Sequence, residues 1–406
     1  MERYSEYKDS GEQWLGEIPS HWEVKRWHVL MNENTEQNTD CSVTRQLQFK
    51  YGSIIEKNNQ DEDKEVLETI SKYLVVKPGD IMLNGLNLNY DFVSQRVGQV
   101  TQNGVITSAY ICLRPTGRAN ENYLVYLLKA MDSQKLFHGM GTGVRLTLSY
   151  KELKNVNLVL PPLSEQSAIV SYLDRVTSQL DEAIAQQQRM IDLLNERKQI
   201  IIQHAVTKGL DPKAEMVESG VEWIGRMPRG WKLIKIKYLA KLQSGTNLTS
   251  LEILDSGEYP VYGGNGLRGY YNTFNCNGSY VLIGRQGALC GNINYGEGKF
   301  WATEHAVVCY PKMKFETFWF GEVLRVMNLG QYSQASAQPG LAVEKIKNLV
   351  VPCPSYEEQK IINSYLKREV SIFNNGIEKC LSSITLLRER KQIIINEVVT
   401  GKVKIC

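Results

Sequence analysis

Asparagine, glutamine and arginine side chains set among glycines are the groups in this sequence with the most to offer chemically. Asn84, Asn87 and Asn89 surround Gly85, and Thr107 and Ser108 precede Tyr110. Tyr262, Asn265 and Arg268 lie in Tyr-Gly-Gly-Asn-Gly-Leu-Arg, and Arg285 and Gln286 are bracketed by Gly284 and Gly287. An Asn or Gln amide offers a donor beside an acceptor, which suits the adenine edge, and Arg suits the two acceptors of guanine. Flanking glycines let a backbone come close to a groove. These residues, with Arg96 and Arg145, are candidate DNA contacts. For any single asparagine beside a glycine, ordinary turn chemistry is an equal account.

The sequence lacks the patterns of catalysis. Its eight cysteines and five histidines form no Cys-x-x-Cys and no His-x-x-x-His, so clustered zinc ligands are not expected. It has no Gly-x-x-x-x-Gly-Lys-[Ser/Thr], no Asn/Asp-Pro-Pro-Tyr/Phe and no Gly-x-Ser-x-Gly, which removes the usual signatures of nucleotide hydrolysis, amino methyl transfer and serine hydrolysis. Gly139-Met-Gly-Thr-Gly143 is only a fragment of a dinucleotide loop, and His305 beside Glu304 reads as a structural pair. A polar start and the lack of any run near ~18 apolar residues point to a cytoplasmic chain with free cysteines and no membrane span.

Charge is more informative locally than in total. Across 406 residues, 47 Lys and Arg face 44 Asp and Glu, a formal charge of only +3. Yet no carboxylate occurs between Asp91 and Glu121, between Asp132 and Glu152, between Glu222 and Glu252, or between Glu258 and Glu297. Those stretches hold most of the candidate contacts, and acids there would oppose a polyanion. Chance gaps remain a competing account.

What positions these residues is a chain written twice. Ser10-Gly-x-x-Trp14-Leu-Gly-x-Ile-Pro19-x-x-Trp22 returns, 209 residues later, as Ser219-Gly-x-x-Trp223-Ile-Gly-x-Met-Pro228-x-x-Trp231. Pro161, Glu165, Gln166 and Glu196-Arg-Lys-Gln-Ile-Ile-Ile202 return, 193 residues later, as Pro354, Glu358, Gln359 and Glu389-Arg-Lys-Gln-Ile-Ile-Ile395. A repeat this long marks a duplicated module, whose two copies can pack about a pseudo-twofold axis.

The second repeated block reads as a long helix entered after Pro161-Pro162, with Ser164 as N-cap, and closed by Gly209. Its apolar seam runs Ile169, Leu173, Val176, Leu180, Ala183, Met190, Leu194 and Ile201. In the second copy the seam is Ile362, Leu366, Val370, Phe373, Ile377, Leu381, Ile384, Leu387, Ile394 and Val398. Some forty residues give each helix a length of roughly 60 Å. The two are expected to form an antiparallel coiled coil, burial in a larger globule being the alternative. Ahead of each helix lie strand-rich segments, at 73–83 and 110–115 before the first and at 280–283 and 306–310 before the second, with short helices at 121–136 and 316–329. The fold class is α+β: two mixed α/β domains separated by a pair of long helices, with boundaries at 1–160, 161–209, 210–351 and 352–406.

The duplicated Trp-Pro-Trp opening, Leu160-Pro-Pro-Leu-x-Glu-Gln166 with its degenerate partner Pro352-Cys-Pro-Ser-Tyr-Glu-Glu-Gln359, and the repeated Glu-Arg-Lys-Gln-Ile-Ile-Ile resemble the specificity subunit of Type I restriction-modification systems. The resemblance covers nearly the whole chain; Cys353, Ser355 and Tyr356 depart from its usual Pro/Leu pattern. It implies a non-catalytic reader of double-stranded DNA, with two target recognition domains that each read half of a bipartite, asymmetric site. It implies helices that space those domains and dock two modification subunits, with restriction and translocase subunits as further partners. No cofactor is implied in this chain: S-adenosylmethionine, ATP and Mg belong to the partners, where base flipping and methyl transfer would occur. An orphan DNA-binding subunit acting as a regulator or scaffold is the alternative. If the helices are a ruler, inserting four residues within 176–194 adds about 6 Å of rise. The preferred spacer should then lengthen by about one or two base pairs. A methylation-site map that shows an unchanged spacer overturns the ruler.

Overall fold

The computed structural model of the chain describes residues 2–57, 64–90, 92, 95–144, 146–287, 289–333 and 340–405. They form two compact units, one comprising 1–186 and 382–406 and the other 187–381. Each unit therefore contains one variable block and about half of each long helix.

In the first unit, strands β1 (Glu23–Arg26), β2 (Met31–Glu33), β3 (Ile81–Leu83), β4 (Val97–Gln99), β5 (Ile111–Pro115) and β6 (Asn157–Leu160) accompany helix α1 (Glu121–Ser133) and the start of α2 (Leu163–Lys208). The second unit has β7 (Lys232–Lys235), β8 (Ala240–Ser244), β9 (Tyr280–Gly284), β10 (Ile293–Gly296), β11 (Ala306–Pro311), β12 (Val350–Cys353), α3 (Thr317–Val326) and the start of α4 (Tyr356–Val399). The central sheets have the same order, β2-β5-β3-β4 and β8-β11-β9-β10, all antiparallel. β1 pairs with β6 just as β7 pairs with β12. Two blocks of unlike sequence thus adopt one topology.

The alternation of side chains along β3 and β5 explains why these strands read as unbroken apolar runs. Ile81, Leu83, Ile111 and Leu113 face a core shared with α1 and α2, whereas Met82 and Cys112 face a second, smaller core. The second unit repeats this division, with Val281, Ile283, Val307 and Cys309 on one face and Leu282 and Val308 on the other. A strand buried on both faces has no polar side to show. Among the described residues, only the second unit adds another four-stranded sheet, from strands at Tyr259–Gly263, Gly266–Tyr271, Cys276–Asn277 and Lys299–Ala302.

Helix α2 runs unbroken for 46 residues and α4 for 44. Neither Gly nor Pro interrupts 163–208, and the stops at Gly209 (φ +72°) and Gly401 (φ +74°) use the left-handed backbone that glycine adopts freely. α2 starts at Leu163, so Ser164 lies in its first turn rather than at the cap. The first half of α2 lies with the end of α4 in one unit, where Lys391 Nζ meets Asp181 at 2.7 Å. Its second half lies with the start of α4 in the other, where Lys198 Nζ donates to Asn374 Oδ1 at 3.1 Å. This is the pairing of antiparallel helices. Ile169, Leu173, Leu180, Ile362, Leu366 and Ile384 are buried as expected, and Leu194, Phe373 and Ile377 are half-buried.

The seam is nevertheless displaced at alternate positions. Thr177 and Ile191 are buried, while Val176 is half-buried and Met190 is 49% exposed. In α4, Leu381 is 50% exposed and half-buried Cys380 holds the seam. Steps of four then three, in place of three then four, keep Leu173, Leu180 and Leu194 in line in both registers, so apolar spacing alone leaves the choice open. Tertiary contacts decide it: the Thr177 hydroxyl lies 3.3 Å from the Tyr126 hydroxyl of α1.

The repeated Glu-Gln at each helix entry has a structural role. Gln166 Nε2 donates to Pro161 O (2.7 Å), and its Oε1 accepts the Asn120 N–H (2.7 Å) at the N-cap of α1. Gln359 does the same with Pro354 O (3.1 Å) and the Glu316 N–H (3.2 Å) at the N-cap of α3. The neighbouring Glu165 and Glu358 accept the indole N–H groups of Trp22 (2.8 Å) and Trp231 (2.9 Å), the last residues of the repeated opening. Beyond Gly209 the chain runs straight into that opening. In the first unit the same junction forms without a covalent link, Lys402 Nζ donating to Leu15 O (2.8 Å) and Glu17 O (2.6 Å). Removing one buried glutamine strands a donor and an acceptor. Gln166→Ala and Gln359→Ala should each cost about 1–3 kcal/mol in urea unfolding, and the double variant their sum, because they share no partner.

Candidate nucleic-acid interface

The loops after β3 and β9 occupy the same place in their two units, and both carry candidate contacts. In the first, Leu148 N–H donates to Gly85 O (2.9 Å); in the second, Leu341 N–H donates to Arg285 O (2.9 Å). Leu148 and Leu341 stand 193 residues apart, the offset of the helix repeat. Each unit therefore ties the loop after its third sheet strand to the segment before its last short helix.

In the first unit, Leu88 N–H donates to Leu146 O (3.2 Å) and Asn89 Nδ2 to Val144 O (3.2 Å). Asn87 is exposed with φ +53°, and Asn84 is half-buried, its Oδ1 accepting the Leu86 N–H (3.1 Å). Of these three asparagines, Asn87 is the one left open to solvent. Gly85 serves packing: a Cβ there would lie 2.5 Å from Leu148 O. Tyr90, 77% exposed, and Phe92, stacked on His138 with ring centroids 4.8 Å apart, project at the end of this loop. Sequence reasoning passed over both, although aromatics in an Asn-rich loop were a usable signal.

Arg96 must be reassigned. It is fully buried, and its Nη1 donates to Asn84 O (3.0 Å) and Leu86 O (2.9 Å), while its N–H donates to Asp132 Oδ2 (2.8 Å). It shapes the loop from beneath and cannot reach a groove. Thr107 and exposed Ser108 lie in the turn before β5, where Thr107 Oγ1 accepts the Ala109 N–H (3.3 Å). Arg145 lies outside the described residues.

In the second unit an open cleft of about 480 Å³ brings Asn265, Arg268 and Gln286 together, with Leu267, Leu289 and His305 beside them. Arg268 and Gln286 are exposed, and Asn265 Oδ1 accepts from Asn292 Nδ2 (2.8 Å). His305 Nε2 sits 3.0 Å from Glu304, the expected pair. Arg285 is half-buried, its Nη1 donating to Ser244 Oγ (3.4 Å). Tyr262 is a packing residue, its ring set edge-on against Phe300 at 5.4 Å. Gly284 again permits a close backbone approach, since its Cβ would lie 2.2 Å from Gly264 O.

Acid-free sequence is not always acid-free space. Arg226 pairs with Glu218 (3.7 Å) and Arg229 with Glu215 across the adjoining strand pair, and Arg114 pairs with buried Asp80 (2.8 Å). The basic charge left for a polyanion is smaller than the linear count. Seven described cysteines are free, and no group of metal ligands occurs among the described residues. Among the described residues no helix is long and apolar enough to cross a membrane.

Comparison with known proteins agrees with this geometry. The model of the Type I restriction modification DNA specificity domain matches twice, at 31–190 and 228–382. The EcoprrI specificity subunit of Escherichia coli is 39% identical over 160 residues, 38% of this chain and 40% of that relative. The MjaVIII specificity subunit of Methanocaldococcus jannaschii is 22% identical over 421 aligned positions, 96% of this chain and 94% of the relative. A chain from a structure of a type I R-M system superposes with a TM-score of 0.71 at 13% identity, covering 95% of this chain and 99% of that one.

If Gln286 reads a base edge, Gln286→Ala should relax one base position by about 1–3 kcal/mol and leave stability within about 0.5 kcal/mol. Arg96→Ala should destabilise by about 1–3 kcal/mol, because the half-buried Asn84 and Leu86 carbonyls lose the donor that holds the loop. Thermal unfolding together with a methylation-site map separates the two outcomes.

Proposed function

Because this chain belongs to the Type I restriction-modification DNA specificity family, we propose that its two units read the two halves of one bipartite, asymmetric DNA site on behalf of partner subunits that act on the DNA. The observation that carries this reading is one frame with two lips. Both units present the loop after the third strand of the same four-stranded sheet, braced by the same backbone hydrogen bond, yet one loop offers Asn87, Tyr90 and Phe92 and the other Arg285 and Gln286 beside Asn265 and Arg268. A constant scaffold with unlike loops is what reading two unlike half-sites asks of a duplicated protein.

The partners follow from the repeat as well. Leu193 and Ile200 on α2 are 59% and 48% exposed, and their counterparts 193 residues later, Leu386 and Ile393 on α4, are 64% and 54% exposed. An apolar pair recurring on the outside of both helices suits a subunit that docks twice. We assign those places to two methyltransferase subunits, which would carry S-adenosylmethionine and the methyl-transfer chemistry. With phosphate contacts shared among subunits, the chain alone would bind DNA weakly and with steep salt dependence.

Replacing residues 240–340 by the corresponding block of a relative of different specificity tests the division of labour. Methylation-site mapping should show a new sequence in one half of the site and the original in the other. A change in both halves, or in neither, overturns the assignment of one unit to each half.

A further inference from the structure

The first unit contains a cleft of about 670 Å³ where α1 meets the start of α2 and the end of α4. Its volume lies within the roughly 300–1,000 Å³ of small-molecule sites. Cations dominate it: Lys129, Lys135, Arg388 and Lys391 against Asp132 and Asp181. Asp181 is spent on Lys391, both carboxylate oxygens lying 2.7 Å from Nζ. Asp132 is only 7% exposed, and its Oδ1 has no hydrogen-bond partner. Lys129 makes no hydrogen bond or ion pair among the described residues. Burial and the neighbouring Lys391 push its pKa down, against the weaker pull of Asp181 and Asp174.

The corresponding positions of the other unit are different. Lys129 lies nine residues after its helix N-cap, and the residue nine after the N-cap of α3 is Arg325. Arg325 Nε is bonded to Glu322 (3.1 Å) and its Nη2 to Ile293 O (3.1 Å). Lys135 adopts a left-handed backbone, φ +60°, that a lysine occupies at a cost. Its counterpart, placed likewise before the 3-10 turn that follows a domain helix three residues shorter, is Asn328 (φ +50°), a residue type suited to that backbone. The first unit thus keeps an unpaired and a strained lysine where the second has a neutralised arginine and a comfortable asparagine.

We propose that this cleft binds one nucleotide-sized phosphate ester per chain, its phosphate held by Lys129, Lys135 and Arg388 and a hydroxyl or amino group donating to Asp132. A subunit that docks on both units must use features that both share, and these residues are not shared. A duplex carries its phosphates on a convex surface that a recess among three helices does not admit.

Equilibrium dialysis of ATP, with pyrophosphate as a second probe, against the full-length chain tests the site. Saturable binding at one ATP per chain is expected, and Arg388→Ala on the exposed helix surface should weaken it at least tenfold. Lys135→Asn is the sharper variant, because it should raise the thermal midpoint by relieving the strained backbone while weakening ATP at least tenfold. Absence of saturable binding of both probes at millimolar concentration overturns the proposal, as does unchanged affinity in Lys135→Asn. One-for-one displacement of ATP by a short DNA duplex would instead assign these cations to duplex phosphates and overturn it equally.

Discussion

Two buried glutamines join the parts of this protein. Gln166 and Gln359 each stand in the first turn of a long helix, and each spends its amide on two backbone groups, the carbonyl of the proline that precedes the helix and the N–H that caps the domain helix. A buried amide satisfied at both ends holds one geometry, since any shift leaves a donor or an acceptor unpaired in a medium that cannot solvate it. The adjacent Glu165 and Glu358 take up tryptophan N–H groups and anchor the strand that enters each domain. Domain helix, long helix and entering strand therefore meet at one hydrogen-bonded joint, made twice.

That joint frees the loops. With the sheet packed on both faces and tied to the helices, the loops after β3 and β9 are held by backbone contacts to Leu148 and Leu341 and, in the first unit, by buried Leu88 and Arg96. Their exposed positions, such as Asn87 and Gln286, can vary in sequence without disturbing the core. The glycines beside the candidate contacts belong to this economy of space. Gly85 and Gly284 let backbone pass against backbone within the protein.

Charge obeys the same separation between local sequence and folded neighbourhood. Arg96 is spent on holding its own loop, and Arg114, Arg226 and Arg229 are answered by acids from other segments. Arg268 and Gln286 remain open in a cleft of the second unit, and Asn87 and Tyr90 at the rim of the first. The modest total of +3 is simply 47 basic against 44 acidic side chains; what pairing reduces is the basic charge left open at any one place.

The sequence by itself determined the duplication, the two long helices, their glycine stops, and the apolar strands of both sheets, because these depend on spacing and composition that act locally. It also singled out both candidate loops, since Asn and Arg beside glycine are conspicuous wherever they fall. It did not distinguish Arg96, a buried brace, from Arg268, an exposed candidate contact, because both are arginines in acid-free stretches and only packing separates them. Nor did it settle whether Val176 or Thr177, Met190 or Ile191, faces the seam: two heptad registers share half their positions, and the choice falls to the neighbours each helix meets. The purpose of Glu165-Gln166 and Glu358-Gln359 was likewise hidden, since their partners are distant in the chain and a hydrogen bond between distant segments exists only once the fold has brought them together.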